Sequence, residues 1–231
     1  TYLPYYDLEM TDVSVHDMGD MYVECLPDLM VEQVADAVCD LIKDEKIPIM
    51  MGGEHSVTVG AVQALKPKWY VVCDAHLDMQ DEYRGSPFNH DCVTARVSET
   101  VENIVIIGAR SGCQEEFAFA REHYHLYTAD EVEERGIRDV LDEVSGLIGD
   151  DSLYLSIDAD AIDCCLTPGL GTPEPFGLTP ADVRAVVRRL CKNAVGFDYV
   201  EVLQNDQGQT AMVAAHLIRE FIAGHFCGKQ E

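Results

Sequence analysis

The sequence predicts an α/β fold of three layers, α/β/α, with a central and mainly parallel sheet. Two observations carry that reading. Short apolar runs alternate with stretches whose apolar residues recur at helical spacing, and this alternation builds parallel sheets covered on both faces. Three of the apolar runs are followed at once by acid- and histidine-rich motifs, as expected where neighbouring strand ends open onto one crevice. With 231 residues and 47% hydrophobic content there is enough material for one well-packed core, and residues 1–231 are expected to form a single domain.

The elements follow in order. Residues 31–43 place Val31, Val34, Ala35, Val38, Leu41 and Ile42 at helical spacing with acids between them. A strand over 47–51 ends at Gly52-Gly53, and a helix over 55–65 closes before Pro67. Residues 69–73 form the next strand, and a polar loop runs over 74–91, with turn chemistry at Arg84-Gly85-Ser86-Pro87. A buried strand is predicted over 103–108, with helices over 114–123, 130–136 and 137–147. Residues 153–157 are a strand, and 164–177 a loop rich in Pro and Gly. Pro180 opens a helix to 192, 194–202 is a strand, and 210–223 is the last helix. Internal repeats, low-complexity segments and linkers are absent from the sequence.

Composition narrows the function. No apolar run approaches the roughly 18 residues of a membrane-spanning helix. No basic, apolar leader opens the chain, which begins at Thr1, and a cytoplasmic location is expected. The nine cysteines are scattered without a CxxC pair, which reads as reduced thiols; the neighbours Cys164 and Cys165 are taken as incidental. A net charge of −26 argues against nucleic acid as a partner and is compatible with a cationic substrate.

The chemistry lies in the three motifs. Gly52-Gly53-Glu54-His55-Ser56, Asp74-Ala75-His76-Leu77-Asp78 and Ser156-Ile157-Asp158-Ala159-Asp160 each follow a predicted strand. Together they offer four carboxylates and two imidazoles: His55, Asp74, His76, Asp78, Asp158 and Asp160. Six such groups in one crevice would repel one another and be costly to desolvate unless cations sat between them. The i, i+2 spacing of Asp74, His76 and Asp78 puts all three on one side of an extended backbone, and Asp158 and Asp160 share that spacing. Carboxylates outnumber imidazoles and no thiolate belongs to the set, which favours a pair of Mn²⁺ ions over structural Zn²⁺.

These motifs resemble those of the ureohydrolases, the arginase and agmatinase family of binuclear manganese amidinohydrolases, and most closely its archaeal and bacterial agmatinases. The likeness runs from about Asp7 to the last helix. It includes the loop Gly169-Leu170-Gly171-Thr172-Pro173-Glu174-Pro175 and the strand Gly196-Phe197-Asp198-Tyr199-Val200-Glu201-Val202. The resemblance implies one manganese held by His55, Asp74, Asp78 and Asp158. It implies a second held by Asp74, His76, Asp158 and Asp160, with Asp74 and Asp158 bridging. It makes Glu201 the guanidinium-binding carboxylate, Asp78 the residue that orients the nucleophile, and His90 a proton relay or a substrate contact. It also implies a homo-oligomer, trimeric or hexameric. The remaining histidines, His16, His123, His125, His216 and His225, are expected in helices or loops as structural residues.

The chain departs from the family pattern in places. Cys164 follows Asp163 where Pro is usual, Glu54 replaces an aspartate, and relatives usually carry an extra strand and helix before the segment that matches 7–20. The implied reaction is hydrolysis of a guanidinium to urea and an amine, by attack of a metal-bridging hydroxide on the guanidinium carbon. Arginases carry an acid after Gly-x-Arg to receive the α-ammonium, whereas this chain reads Gly108-Ala109-Arg110-Ser111. The expected substrate is therefore agmatine, a small dication without a carboxylate, giving putrescine and urea. Alternatives are arginine or a guanidino acid (guanidinobutyrate or guanidinopropionate), since few loop residues decide the choice. A catalytically silent homologue that binds metal or polyamine is an alternative of another class. A Rossmann-like binder ranks last, for want of a phosphate-binding glycine loop.

Overall fold

The computed structural model describes residues 1–228. Its centre is a six-stranded sheet of β3 (Ile49–Met51), β4 (Trp69–Cys73), β5 (Asn103–Ala109), β6 (His125–Thr128), β7 (Leu153–Asp158) and β8 (Ala194–Val200). The order across it is β3-β8-β7-β4-β5-β6, every pair parallel. A separate antiparallel pair, β1 (Tyr2–Leu3) with β2 (Leu8–Glu9), lies near the N-terminus.

The pleat divides the core into two layers. Val71, Cys73, Val105, Ile107, Leu155 and Phe197 face one side, and pack against α6 (Ile137–Ile148), α7 (Pro180–Leu190) and α8 (Gln209–Gly228). Their neighbours Tyr70, Val72, Ile104, Ile106 and Tyr154 face the other side, against α1 (Pro27–Lys43), α2 (Val57–Leu65), α3 (Val93–Ser98) and α4 (Gln114–His123). Two covered faces explain why these strands read as continuous apolar runs rather than alternating ones. The close packing of α1 on α2 depends on Gly60, where a Cβ would lie 2.3 Å from the Val31 carbonyl oxygen.

Caps fix several ends. Pro27 sits in the first turn of α1, four residues before the predicted start, because Pro at that position loses no helical hydrogen bond. Thr128 and Glu131 form a capping box that starts α5 (Ala129–Arg135), and Thr179 with Asp182 does the same for α7.

The structure corrects some expectations. β3 is shorter than 47–51, and α2 begins at Val57 rather than at residue 55. α3 and β6 went unread: β6 is a four-residue edge strand that follows α4 with no Gly or Pro between them. His125 opens that strand instead of lying in a helix or loop. β8 ends at Val200, so Glu201 and Val202 lie beyond the regular strand, with Val202 bridged to Leu170. No described helix is long and apolar enough to cross a membrane.

Candidate active site

The C-terminal ends of β3, β8, β7 and β4 lie side by side in the sheet, and each hands the chain directly to a motif. Asp74 follows β4, Asp158 ends β7, Glu201 follows β8, and the Gly52-Gly53 turn carries His55 in from β3. Extended spacing is not what brings the acids together. Asp78 has φ +53° and Glu201 φ +62°, both left-handed, and Asp160 lies in a 3-10 turn whose amide donates to Asp158 Oδ1 at 2.8 Å. Left-handed backbone at a residue other than Gly costs on the order of 1–3 kcal/mol and persists where its surroundings enforce it, commonly at functional sites.

His55 is at the centre. Its Nδ1 lies 3.3 Å from Asp74 Oδ2, 3.2 Å from Asp78 Oδ2 and 3.2 Å from Asp158 Oδ2, yet makes no well-aimed hydrogen bond to any of them. Three oxygens thus surround a buried nitrogen, and none is placed along an N–H direction. Its Nε2 lies 3.1 Å from Ser156 Oγ, whose hydroxyl donates to Asp198 Oδ1 at 2.6 Å. Asp198 Oδ2 accepts from Thr58 Oγ1 and from the Tyr154 hydroxyl, both at 2.7 Å. Since the single Ser156 proton goes to Asp198, its lone pair must accept from His55 Nε2–H. In the neutral ring Nδ1 then offers its lone pair to the carboxylate side, the arrangement a metal-ligating imidazole takes.

A second cluster shares Asp74. His76 Nδ1 lies 3.5 Å from Asp74 Oδ1 and 3.1 Å from Asp160 Oδ2. Asp160 Oδ1 accepts from the Ala75 amide at 3.1 Å, and Oδ2 from Thr172 Oγ1 at 3.0 Å. Two groups, His55–Asp74–Asp78 and Asp74–His76–Asp160, each hold their potential ligand atoms within 4.8 Å of one another, and Asp74 belongs to both. Asp158 faces the first group through Oδ2. All six expected ligands therefore meet in one place.

The electrostatics are those of crowded carboxylates. Burial and the neighbouring Asp74 push the Asp78 carboxyl up to about 7. Burial, together with Asp160 and Asp74, raises Asp158 well above the usual range. Burial opposes ionisation of Asp74 too, but His55 and His76 outweigh it and hold that carboxyl low. Burial likewise works against protonated imidazoles. Tyr70 and the three carboxylates still raise His55 well above its ordinary value, and Asp160 and Asp74 bring His76 up to about 12. In such a cluster protons do the neutralising that a divalent cation can do instead. A hard donor set of four carboxylates and two imidazoles, with an orphaned buried Nδ1 among them, fits divalent metal.

Glu201 borders the same crevice, with Oε1 accepting from the His55 amide at 2.7 Å. Burial raises its pKa, against the His55 amide and charge. His90 lines the crevice as well, its Nδ1 3.3 Å from Glu54 Oε1; that pairing raises the imidazole pKa and burial opposes it. Glu54 also accepts from the Ser56 hydroxyl. A larger concavity of about 440 Å³ lies between α7 and α8, lined by Arg184, Met212 and His216 among others, but it contains none of these groups. Asp163, Cys164 and Cys165 form another close group outside the crevice, where the Asp163 carboxylate accepts from the Cys165 and Gly177 amides.

Sequence reading gave no role to Thr58, Tyr154, Ser156 or Asp198. A signal was present: Asp198 sits in the middle of the apolar run Gly196-Phe197-Asp198-Tyr199-Val200, and a carboxylate buried there needs dedicated donors.

Residues 1–224 match the family model described as "Arginase family". The chain belongs to the arginase family. It is 39% identical over 230 residues to an N(1)-aminopropylagmatine ureohydrolase of Thermococcus kodakarensis, covering 94% of this chain and 76% of that protein. It is 36% identical to an agmatinase of Pyrococcus horikoshii, covering 97% and 79% respectively. Among solved structures, the agmatine ureohydrolase of Thermoplasma volcanium superposes with a TM-score of 0.93 at 38% identity, over 99% of this chain and 79% of that one. The three-layer architecture is thus the arginase fold, and the chain is an enzyme of that family.

Proposed function

We propose that this arginase-family enzyme hydrolyses agmatine to putrescine and urea with two Mn²⁺ ions. The reading rests on one observation: two His–Asp clusters share Asp74, and Glu201 borders the same crevice. His55, Asp74, Asp78 and Asp158 would hold one ion, and Asp74, His76, Asp158 and Asp160 the other. When bound, such a pair would supply an acidified water as the nucleophile for the guanidinium carbon.

The chain's own residues do the remainder. The Glu201 carboxylate accepts paired N–H bonds from the planar guanidinium and sets its carbon in line for attack. Asp78 takes the proton of the attacking water and passes it to the leaving amine. His90, 38% exposed and held by Glu54, relays protons between that crevice and solvent. Selectivity for a cationic tail follows from what surrounds the crevice. Ser111 stands where an acid would receive an α-ammonium, while Glu54 and Glu174 would repel a substrate carboxylate. The likeness to the Thermococcus enzyme favours N1-aminopropylagmatine as a second reading, with the same head group on a longer cationic tail.

Urea release from agmatine, N1-aminopropylagmatine, 4-guanidinobutyrate and arginine by the Mn²⁺-loaded protein tests the proposal. Turnover of agmatine well above the two carboxylate-bearing compounds is expected. Preference for arginine would overturn the substrate, and no urea from any of the four would favour a silent homologue.

A further inference from the structure

The Arg110 guanidinium has five N–H groups, and each meets a backbone carbonyl. Nε donates to Pro175 O at 2.9 Å, Nη1 to Gly108 O at 3.1 Å and Ala161 O at 3.4 Å, and Nη2 to Asp160 O at 2.7 Å and Glu174 O at 2.9 Å. Among the described residues no carboxylate lies within ion-pair distance of it. A cation placed so is a clasp for backbone, and the fork geometry of arginine is what lets one side chain hold three segments.

Those segments are the end of β5, the 3-10 turn after β7 that carries Asp160, and the loop that carries Thr172 and Glu174. A ring of contacts closes through the same residues. The Arg110 amide donates to Ala75 O at 2.8 Å, the Ala75 amide donates to Asp160 Oδ1, and the Asp160 carbonyl returns to Arg110 Nη2. Two features of the sequence make room for the clasp. Gly108 takes φ +102° at the strand end, and a Cβ on Gly177 would lie 2.5 Å from Arg110 Nη2.

The clasp acts most directly on one half of the centre, and reaches the other only through the Asp160 amide on Asp158 Oδ1. Asp160 and Thr172 belong to the His76 cluster, whose histidine side chain is 22% exposed. The His55 cluster is 1% exposed at its histidine and is held instead by Ser156 and Asp198. We propose that Arg110 is a positioning residue that fixes Asp160 and the Thr172 loop, and so sets how tightly the His76–Asp160 cluster holds its cation, while the His55 cluster keeps its own. The proposal rests on the two-cation reading above.

Mn²⁺ titration by calorimetry, with electron paramagnetic resonance of the loaded protein, tests it on the wild type, Arg110→Lys and Gly177→Ala. Lysine has three donors on one nitrogen and cannot span five carbonyls, and an alanine methyl at 177 would lie 2.5 Å from Arg110 Nη2 and 2.8 Å from Ala161 O, disturbing both the guanidinium and the turn it holds. The wild type should bind two ions and give a spin-coupled spectrum. Each variant should bind the first ion with wild-type affinity and the second at least tenfold more weakly, by analogy with the roughly 10–100-fold losses seen when groups that orient a ligand are removed. At one equivalent of metal the variants should show an uncoupled signal. If Arg110→Lys does not fold, Arg110→Gln takes its place, with Gly177→Ala read beside it. Two ions bound with unchanged affinities in the folded variants, or both weakened alike, would overturn the role of Arg110 alone. A single ion in the wild type would overturn the two-cation reading and this proposal with it.

Discussion

Replacing Ser156 by alanine isolates the support behind His55. Ser156 is fully buried and its one hydroxyl serves two partners, accepting from His55 Nε2 at 3.1 Å and donating to Asp198 Oδ1 at 2.6 Å. The substitution leaves an imidazole N–H without an acceptor and a carboxylate oxygen without a donor, both inside the protein. Each such loss costs about 1–3 kcal/mol, and Thr58 and Tyr154 still satisfy the other Asp198 oxygen, so about 2–4 kcal/mol in total is expected. At roughly 2–4 °C per kcal/mol for a protein of this size, the melting temperature should fall by about 4–16 °C. The freed ring also loses the contact that fixes which nitrogen faces the carboxylates, and affinity for the first cation should drop about 10–100-fold. Scanning calorimetry of the metal-free protein gives the first quantity and Mn²⁺ titration the second. A lower melting temperature with cation affinity within twofold of wild type would refute the argument, because the network would then brace the core without aiming the ligand.

Other outcomes follow from the same geometry. Asp74→Ala should abolish binding of both ions, whereas Asp78→Ala should weaken the first far more than the second, and equal losses in dialysis against metal would contradict the shared role of Asp74. Glu201→Gln keeps an acceptor for the His55 amide but loses the charged pair with a guanidinium, and should lower kcat/KM about 10–100-fold with metal content unchanged. Loading the cluster with Mn²⁺ at pH 7 should release roughly two to three protons, from His55, His76 and Asp158, because ligands must be deprotonated; titration in buffers of different ionisation enthalpy counts them, and no release would be a refutation. Glu54 raises the His90 pKa above the ordinary 6.5, so their pairing stabilises the fold below that value and fades as pH rises through the raised one. Glu54→Gln should move the His90 midpoint down in an NMR titration, and an unmoved midpoint would refute the pairing.

Much of the fold is legible in the sequence. Apolar runs long enough to be buried on both faces marked β4, β5, β7 and β8, and helical spacing marked α1, α7 and α8. The histidines and aspartates that meet at the site are the ones the three motifs named. What escaped was local and short. Nothing distinguished His125-Leu126-Tyr127-Thr128 from the end of the preceding helix, because an edge strand of four residues needs its partner to be a strand at all. The i, i+2 spacing of Asp74, His76 and Asp78 pointed to residues that do meet in the crevice, but through a left-handed turn at Asp78 rather than an extended backbone.

The sequence by itself determined the layers and the chemical character of the site, because side-chain identity and hydrophobic period are local properties of the chain. It could not order the strands β3-β8-β7-β4-β5-β6, nor show that the Asp198 carboxylate reaches His55 through Ser156, nor that the Arg110 guanidinium closes on the carbonyls of residues 160 and 174. Those contacts join residues dozens of positions apart. They exist only once burial of the two apolar faces has fixed the sheet and removed the water that would otherwise satisfy each polar group.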